Sequence, residues 1–135
     1  MLVLTKKFHF SAAHRYHNDE WTEERNREVF GDDNRNHGHN YVLEVSLTGK
    51  VDPQTGFLAD LGEIKRLVQE RVVAPLDHST IQDDIDWFKG RQPSSENLVV
   101  YIWERLAGQL PAGVTLMRVR LFETPTIYAE YTGGA

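Results

Sequence analysis

Leu2, Leu4, Lys6, Phe8 and Phe10 alternate with Val3, Thr5, Lys7 and His9 along residues 2–10. A period of two over that length predicts a strand with one mostly apolar face. Tyr41, Leu43, Val45 and Leu47, interleaved with Val42, Glu44, Ser46 and Thr48 and stopped by Gly49, predict a second strand. The long segment between them is rich in Asn, Asp, Glu and Arg and has little periodicity. Irregular stretches of that length are uncommon in compact domains and usually mark function or disorder. Because this one begins and ends with histidines, function is the better reading.

Asp52-Pro53-Gln54-Thr55-Gly56 reads as a turn, with Phe57-Leu58-Ala59 returning as a short strand. Asp60-Leu61-Gly62-Glu63 has the form of a capping box, and Leu61, Ile64, Leu67, Val68 and Val72 recur at helical spacing up to Pro75. A helix over about residues 60–73 follows. Pro93-Ser94-Ser95-Glu96 offers the cap of a second helix, whose stripe of Leu98, Val99, Ile102, Leu106 and Leu110 ends at Pro111. Val119 and Leu121 alternate with Arg118, Arg120 and Phe122 in a third strand, Glu123-Thr124-Pro125 turns the chain, and Ile127 to Tyr131 makes a fourth. The order ββααββ predicts an α+β fold, a four-stranded antiparallel sheet with two helices on one face. The other face then needs cover, which oligomerisation provides.

A chain of 135 residues reads as a single domain, residues 1–135. The absence of cysteine removes disulfides, thiolate metal ligands and a sulfur nucleophile together. With no apolar run of a signal peptide and no stretch near the roughly 18 apolar residues of a membrane span, a soluble cytoplasmic protein is expected. A net charge of −5 argues against general nucleic-acid binding. Arg15, Arg25, Arg27 and Arg35 share the histidine-bounded segment, where they are either solvated or in contact with an anionic ligand.

The candidate chemistry centres on His37-Gly38-His39 and on His14 in Ser11-Ala12-Ala13-His14-Arg15-Tyr16. Residues i and i+2 of an extended segment point to one side, so both imidazoles can face one ion. A third histidine ending the neighbouring strand can join them across a strand spacing of about 4.8 Å. Three nitrogen ligands plus water is how a catalytic zinc is held. His9 and His17 compete with His14 for the third place. The reaction of such a centre needs an acid and a base, and Asp77-His78 is a candidate pair, although an Asp-His in a loop is more often a surface turn. Glu96 has a sufficient role at a helix start. Glu123, at a strand end beside a turn, reads as a solvated carboxylate or, alternatively, as the acceptor of two parallel hydrogen bonds from a heterocycle edge.

Phe10-Ser11-Ala12-Ala13-His14-Arg15, His37-Gly38-His39-Asn40-Tyr41, Pro75-Leu76-Asp77-His78, Ser94-Ser95-Glu96-Asn97 and Phe122-Glu123-Thr124 stand in the order seen in the 6-pyruvoyl-tetrahydropterin synthase family, which this sequence resembles over nearly its whole length. The resemblance implies a tunnelling fold, assembled as trimers or hexamers with sites at subunit interfaces. It assigns His14, His37 and His39 to zinc, Asp77 and His78 to a proton relay, and Glu123, with Ser95 and Glu96, to the pterin ring. The implied substrate is 7,8-dihydroneopterin triphosphate, which loses triphosphate and undergoes internal redox at its side chain. The family's catalytic cysteine, shortly before His-Gly-His, is replaced by Asp33 in Phe30-Gly31-Asp32-Asp33, with Asp32 as the neighbouring alternative. The spacing there matches the related 6-carboxy-tetrahydropterin synthases. Some relatives with a glutamate nearby instead cleave dihydroneopterin to 6-hydroxymethyl-dihydropterin. A non-catalytic pterin or purine binder that kept metal and pocket is the reading from another class.

Overall fold

The structure, a computed structural model, describes residues 1–134. Four strands, β1 (Leu4–His14), β2 (His37–Gly49), β3 (Val114–Thr124) and β4 (Ile127–Tyr131), form one antiparallel sheet in the order β1-β2-β3-β4. Alternation puts Phe8, Phe10 and Ala12 of β1, Tyr41, Leu43, Val45 and Leu47 of β2, and Val119 and Leu121 of β3 on one buried face. The ladder shifts at Ser46/Leu47, where Ser46 pairs with Arg118 and Leu47 with Leu116. The extra residue, Met117, resets the alternation, so Leu116 and Val119 are both buried.

Two helical rods cover that face. The first, α2 (Leu61–Val68), continues through a π turn, Gln69–Val73, into Ala74–Leu76, and buries Ile64, Val68, Val72, Val73 and Leu76. Asp60 caps it by accepting from the Gly62 and Glu63 amides at 2.9 and 3.3 Å. The rod runs one residue past Pro75, where the sequence pattern predicts its end. Pro75 has no N–H for the Arg71 carbonyl, and Arg105 Nε donates to that oxygen instead, at 3.1 Å. The second rod, α3 (Ser95–Leu106), is capped by Ser94 accepting from the Asn97 amide, and buries Leu98, Val99, Ile102 and Leu106. It stops short of Leu110.

Two further expectations are corrected. The segment between β1 and β2 contains a helix, α1 (Glu23–Phe30), followed by a 3₁₀ turn, Gly31–Asn34, so the order ββααββ gains an element. Thr22 caps α1, and its one buried residue is Asn26, whose amide bonds Asn18 and Thr22. A helix anchored by one buried amide shows no apolar stripe. Phe57-Leu58-Ala59 forms no strand, because β2 already has β1 and β3 on its two sides.

A charged ladder crosses the outer face. Lys7, Glu44, Arg120 and Glu130 lie directly opposite one another across all four strands, with contacts of 3.5 Å (Lys7–Glu44), 3.6 Å (Glu44–Arg120) and 2.7 Å (Arg120–Glu130). Beside the ladder Val42, Phe122 and Tyr128 share the same face, with the Phe122 and Tyr128 rings 4.8 Å apart, so this side carries both charged and apolar surface for water or a partner copy to cover. Among the described residues no helix is long and apolar enough to cross a membrane.

Candidate metal centre

Strand register brings the three histidines together. His14 pairs with His37 and Ala12 with His39, which sets all three rings at one end of the helix-covered face. Ring centroids are 4.6 Å apart for His14–His37 and 5.1 Å for the other two pairs, and one nitrogen from each ring lies within 4.8 Å of the others.

The backbone fixes two of the tautomers. His14 Nδ1 donates to the Pro93 carbonyl at 2.7 Å, and His37 Nδ1 to the Arg35 carbonyl at 2.7 Å. In a neutral ring the lone pair is then on Nε2, the form in which imidazole binds a metal. Nε2 of His14 and of His39 are buried with no hydrogen-bond partner. Orphaned nitrogens of this kind are costly without a cation, and the all-nitrogen donor set suits Zn²⁺.

Burial lowers the His14 pKa to about 4; the Pro93 carbonyl opposes this, and the neighbouring His37 and His39 add to it. Below the ordinary value of 6.5 the unfolded chain takes up a proton that the folded ring refuses until about pH 4. Stability of the metal-free protein therefore falls as pH drops through that window. At about 1.4 kcal/mol per unit, the deficit at pH 4.5 relative to pH 7.5 is about 3 kcal/mol. Denaturant titrations at the two pH values measure it, and His14→Gln, which cannot protonate, is expected to remove it. An unchanged pH dependence in that variant would contradict the assignment.

Carboxylates flank the cluster on two sides. Glu123 follows Val119 and Leu121 on the inner face of β3, and its Oε1 lies 3.1 Å from His39 Nε2 and 3.4 Å from His14 Nε2. Asp33, in the 3₁₀ turn, has Oδ1 3.9 Å from His37 Nε2. That contact distinguishes it from Asp32, whose carbonyl accepts the Arg35 amide and whose side chain is not in the cluster. Ser95 is buried at the start of α3 with an unpartnered Oγ, while Glu96 beside it is exposed.

The sequence reading missed Tyr16 as a site residue. Its ring lies 5.1 Å from that of His14 and stacks on Phe30 at 5.8 Å. Its amide donates to the Asp33 carbonyl and its own carbonyl accepts from Asn34 Nδ2, both at 2.9 Å, so it ties the end of β1 to the turn that carries Asp33. Burial and the charges of Glu123, Glu96 and Asp33 push its phenol pKa well above the usual range. The one sequence signal was its place two residues beyond His14.

The Asp77 carboxylate lies 3.0 Å from His78 Nδ1. The Ser11 amide donates to Asp77 Oδ1 and the His78 amide to the Ser11 carbonyl, which pins the pair to the edge of β1 rather than to the histidine cluster. The Ser11 bond, and secondarily His78, hold the Asp77 carboxyl below the usual range. Of the competing histidines, His9 is exposed on the other face, and His17 bonds Asp19 and Glu23 at 2.7 and 3.2 Å.

A family profile described as 6-pyruvoyl tetrahydropterin synthase matches residues 3–134. The 6-pyruvoyl tetrahydrobiopterin synthase of Poecilia reticulata is 39% identical over 132 residues, covering 96% of this chain and 89% of that one. The dihydroneopterin monophosphate aldolase of Pyrococcus furiosus is 32% identical over 114 residues, covering 84% and 82%. The solved structure of Caenorhabditis elegans 6-pyruvoyl tetrahydropterin synthase superposes with a TM-score of 0.89 at 34% identity, covering 98% of this chain and 96% of that one.

Proposed function

The chain belongs to the 6-pyruvoyl tetrahydropterin synthase family and has its tunnelling fold, and on that footing we propose that it is a zinc-dependent lyase of pterin metabolism. Its substrate is 7,8-dihydroneopterin or the triphosphate of that compound, and Asp33 is the base. The observation that carries the reading is the convergence of His14, His37 and His39, with two tautomers set by backbone carbonyls and two buried Nε2 atoms unpartnered.

His14, His37 and His39 would hold zinc, which would supply Lewis-acid chemistry toward the substrate side chain. Asp33, beside His37, accepts the proton that leaves the substrate side chain. Asp77 holds His78 through Nδ1, leaving Nε2 free to take up or return a proton. Since that pair lies along the β1 edge of its own protomer, it serves the cluster of a neighbouring copy, in a homo-oligomer that is a trimer or a hexamer. Ser95, Glu96 and Glu123 take the pterin ring. The cytoplasm is the expected location.

One observation favours a second reading. A carboxylate stands where the family resemblance implies a thiolate, and the similar Pyrococcus protein is named an aldolase. Side-chain cleavage to 6-hydroxymethyl-dihydropterin needs a proton taken from a side-chain hydroxyl rather than shuttled between two carbons, a smaller demand on a weak base. Incubating the zinc-loaded protein with dihydroneopterin and its triphosphate, and identifying products by mass, separates the two. Release of triphosphate with a pyruvoyl product supports the first, and 6-hydroxymethyl-dihydropterin the second. Failure to turn over either substrate would overturn both.

A further inference from the structure

His14 Nδ1 gives its proton to the Pro93 carbonyl, so the Nε2 of the neutral ring presents a lone pair. Glu123 Oε1 nevertheless faces that nitrogen at 3.4 Å and His39 Nε2 at 3.1 Å, and neither nitrogen has a hydrogen-bond partner. At His14, whose tautomer is set by Pro93, oxygen and nitrogen lone pairs 3.4 Å apart repel unless a cation lies between them. Zinc ligands at about 2.0–2.1 Å in a tetrahedron stand roughly 3.3 Å from one another, close to both separations.

We propose that Glu123 is a fourth protein ligand of the resting metal, closing a three-histidine, one-carboxylate set that substrate must open. The inference rests on the zinc reading above and adds a second duty for a residue so far placed at the pterin ring. Between the two flanking carboxylates the geometry chooses clearly. Glu123 touches two ring nitrogens and its side chain is 15% exposed, whereas Asp33 approaches one at 3.9 Å and is 65% exposed. A closed set of four leaves no open position. A substrate hydroxyl entering the site therefore displaces the carboxylate, which is then free to accept from the amine and ring N–H of the pterin. Metal and ring recognition are thereby coupled: the metal opens only when a ring is present to receive Glu123.

The test uses zinc affinity, read by competition with a chromophoric chelator, and the visible spectrum of the cobalt(II)-substituted protein. Glu123→Gln, which keeps the side-chain shape, and Glu123→Ala are each expected to weaken zinc binding by about 10- to 100-fold, the range seen when groups supporting a metal site are lost. Both are expected to alter the cobalt spectrum, while Glu96→Gln leaves affinity and spectrum as in wild type. Wild-type affinity and spectrum in both Glu123 variants would overturn the proposal and leave the zinc reading standing. A wild-type protein that takes up neither zinc nor cobalt stoichiometrically would overturn both.

Discussion

Replacing His39 by alanine is expected to lower turnover by about three orders of magnitude or more and to abolish stoichiometric zinc. A metal Lewis acid supplies several kcal/mol of charge stabilisation, and each 1.4 kcal/mol or so is tenfold in rate. His39 separates chemistry from folding better than its partners. Its side chain is 20% exposed, whereas His14 is fully buried and bonded to Pro93 and so also supports the protein interior. The variant should unfold within about 1 kcal/mol of the metal-free wild type, as substitutions outside the core do. Metal content by elemental analysis and steady-state rates on one preparation check it. Wild-type turnover in a metal-free His39→Ala protein would remove the metal from the account.

Asp33→Asn is the second large effect. The substitution keeps size and shape, and the backbone contact from the Tyr16 amide to the Asp33 carbonyl does not involve the side chain. On the proposed mechanism only the proton acceptor is lost. General-base contributions run from about 10² to 10⁴ in rate, and a loss in that range is expected. Affinity for the pterin should stay within a factor of about three, since the ring contacts are elsewhere. Asp32→Asn, one residue away and outside the cluster, is expected to behave as wild type. Binding that survives in Asp33→Asn while turnover falls separates an enzyme from a pterin binder that merely retained its pocket. Equal turnover in Asp33→Asn and wild type would reassign the base.

The four strands and the meeting of the histidines were legible because both follow from alternation. Once β1 and β2 pair antiparallel, the side chains of His14, His37 and His39 share a face by parity alone. Parity could also have placed Glu123, which continues the series Val119, Leu121 on the inner face, beside the three histidines. What sequence could not convey depends on unique long-range contacts. Helix α1 is held by the buried amide of Asn26, which leaves no periodic trace. The rod through Pro75 survives because Arg105, from another helix, satisfies the carbonyl that proline leaves unpaired. Tyr16 becomes a site residue through two bonds to the turn carrying Asp33, which no local pattern encodes. The position of Asp77 and His78 on the β1 edge likewise depends on bonds to Ser11, distant in the sequence.

The measurement that bears most directly on the central claim is a crystal structure of the zinc-loaded protein with bound dihydroneopterin. Zinc is expected on one nitrogen each of His14, His37 and His39, and the Asp33 carboxylate within about 3.5 Å of the side-chain atom that gives up its proton, the separation of a near-attack arrangement. Metal bound away from these histidines, or a pterin side chain beyond the reach of Asp33, would contradict it.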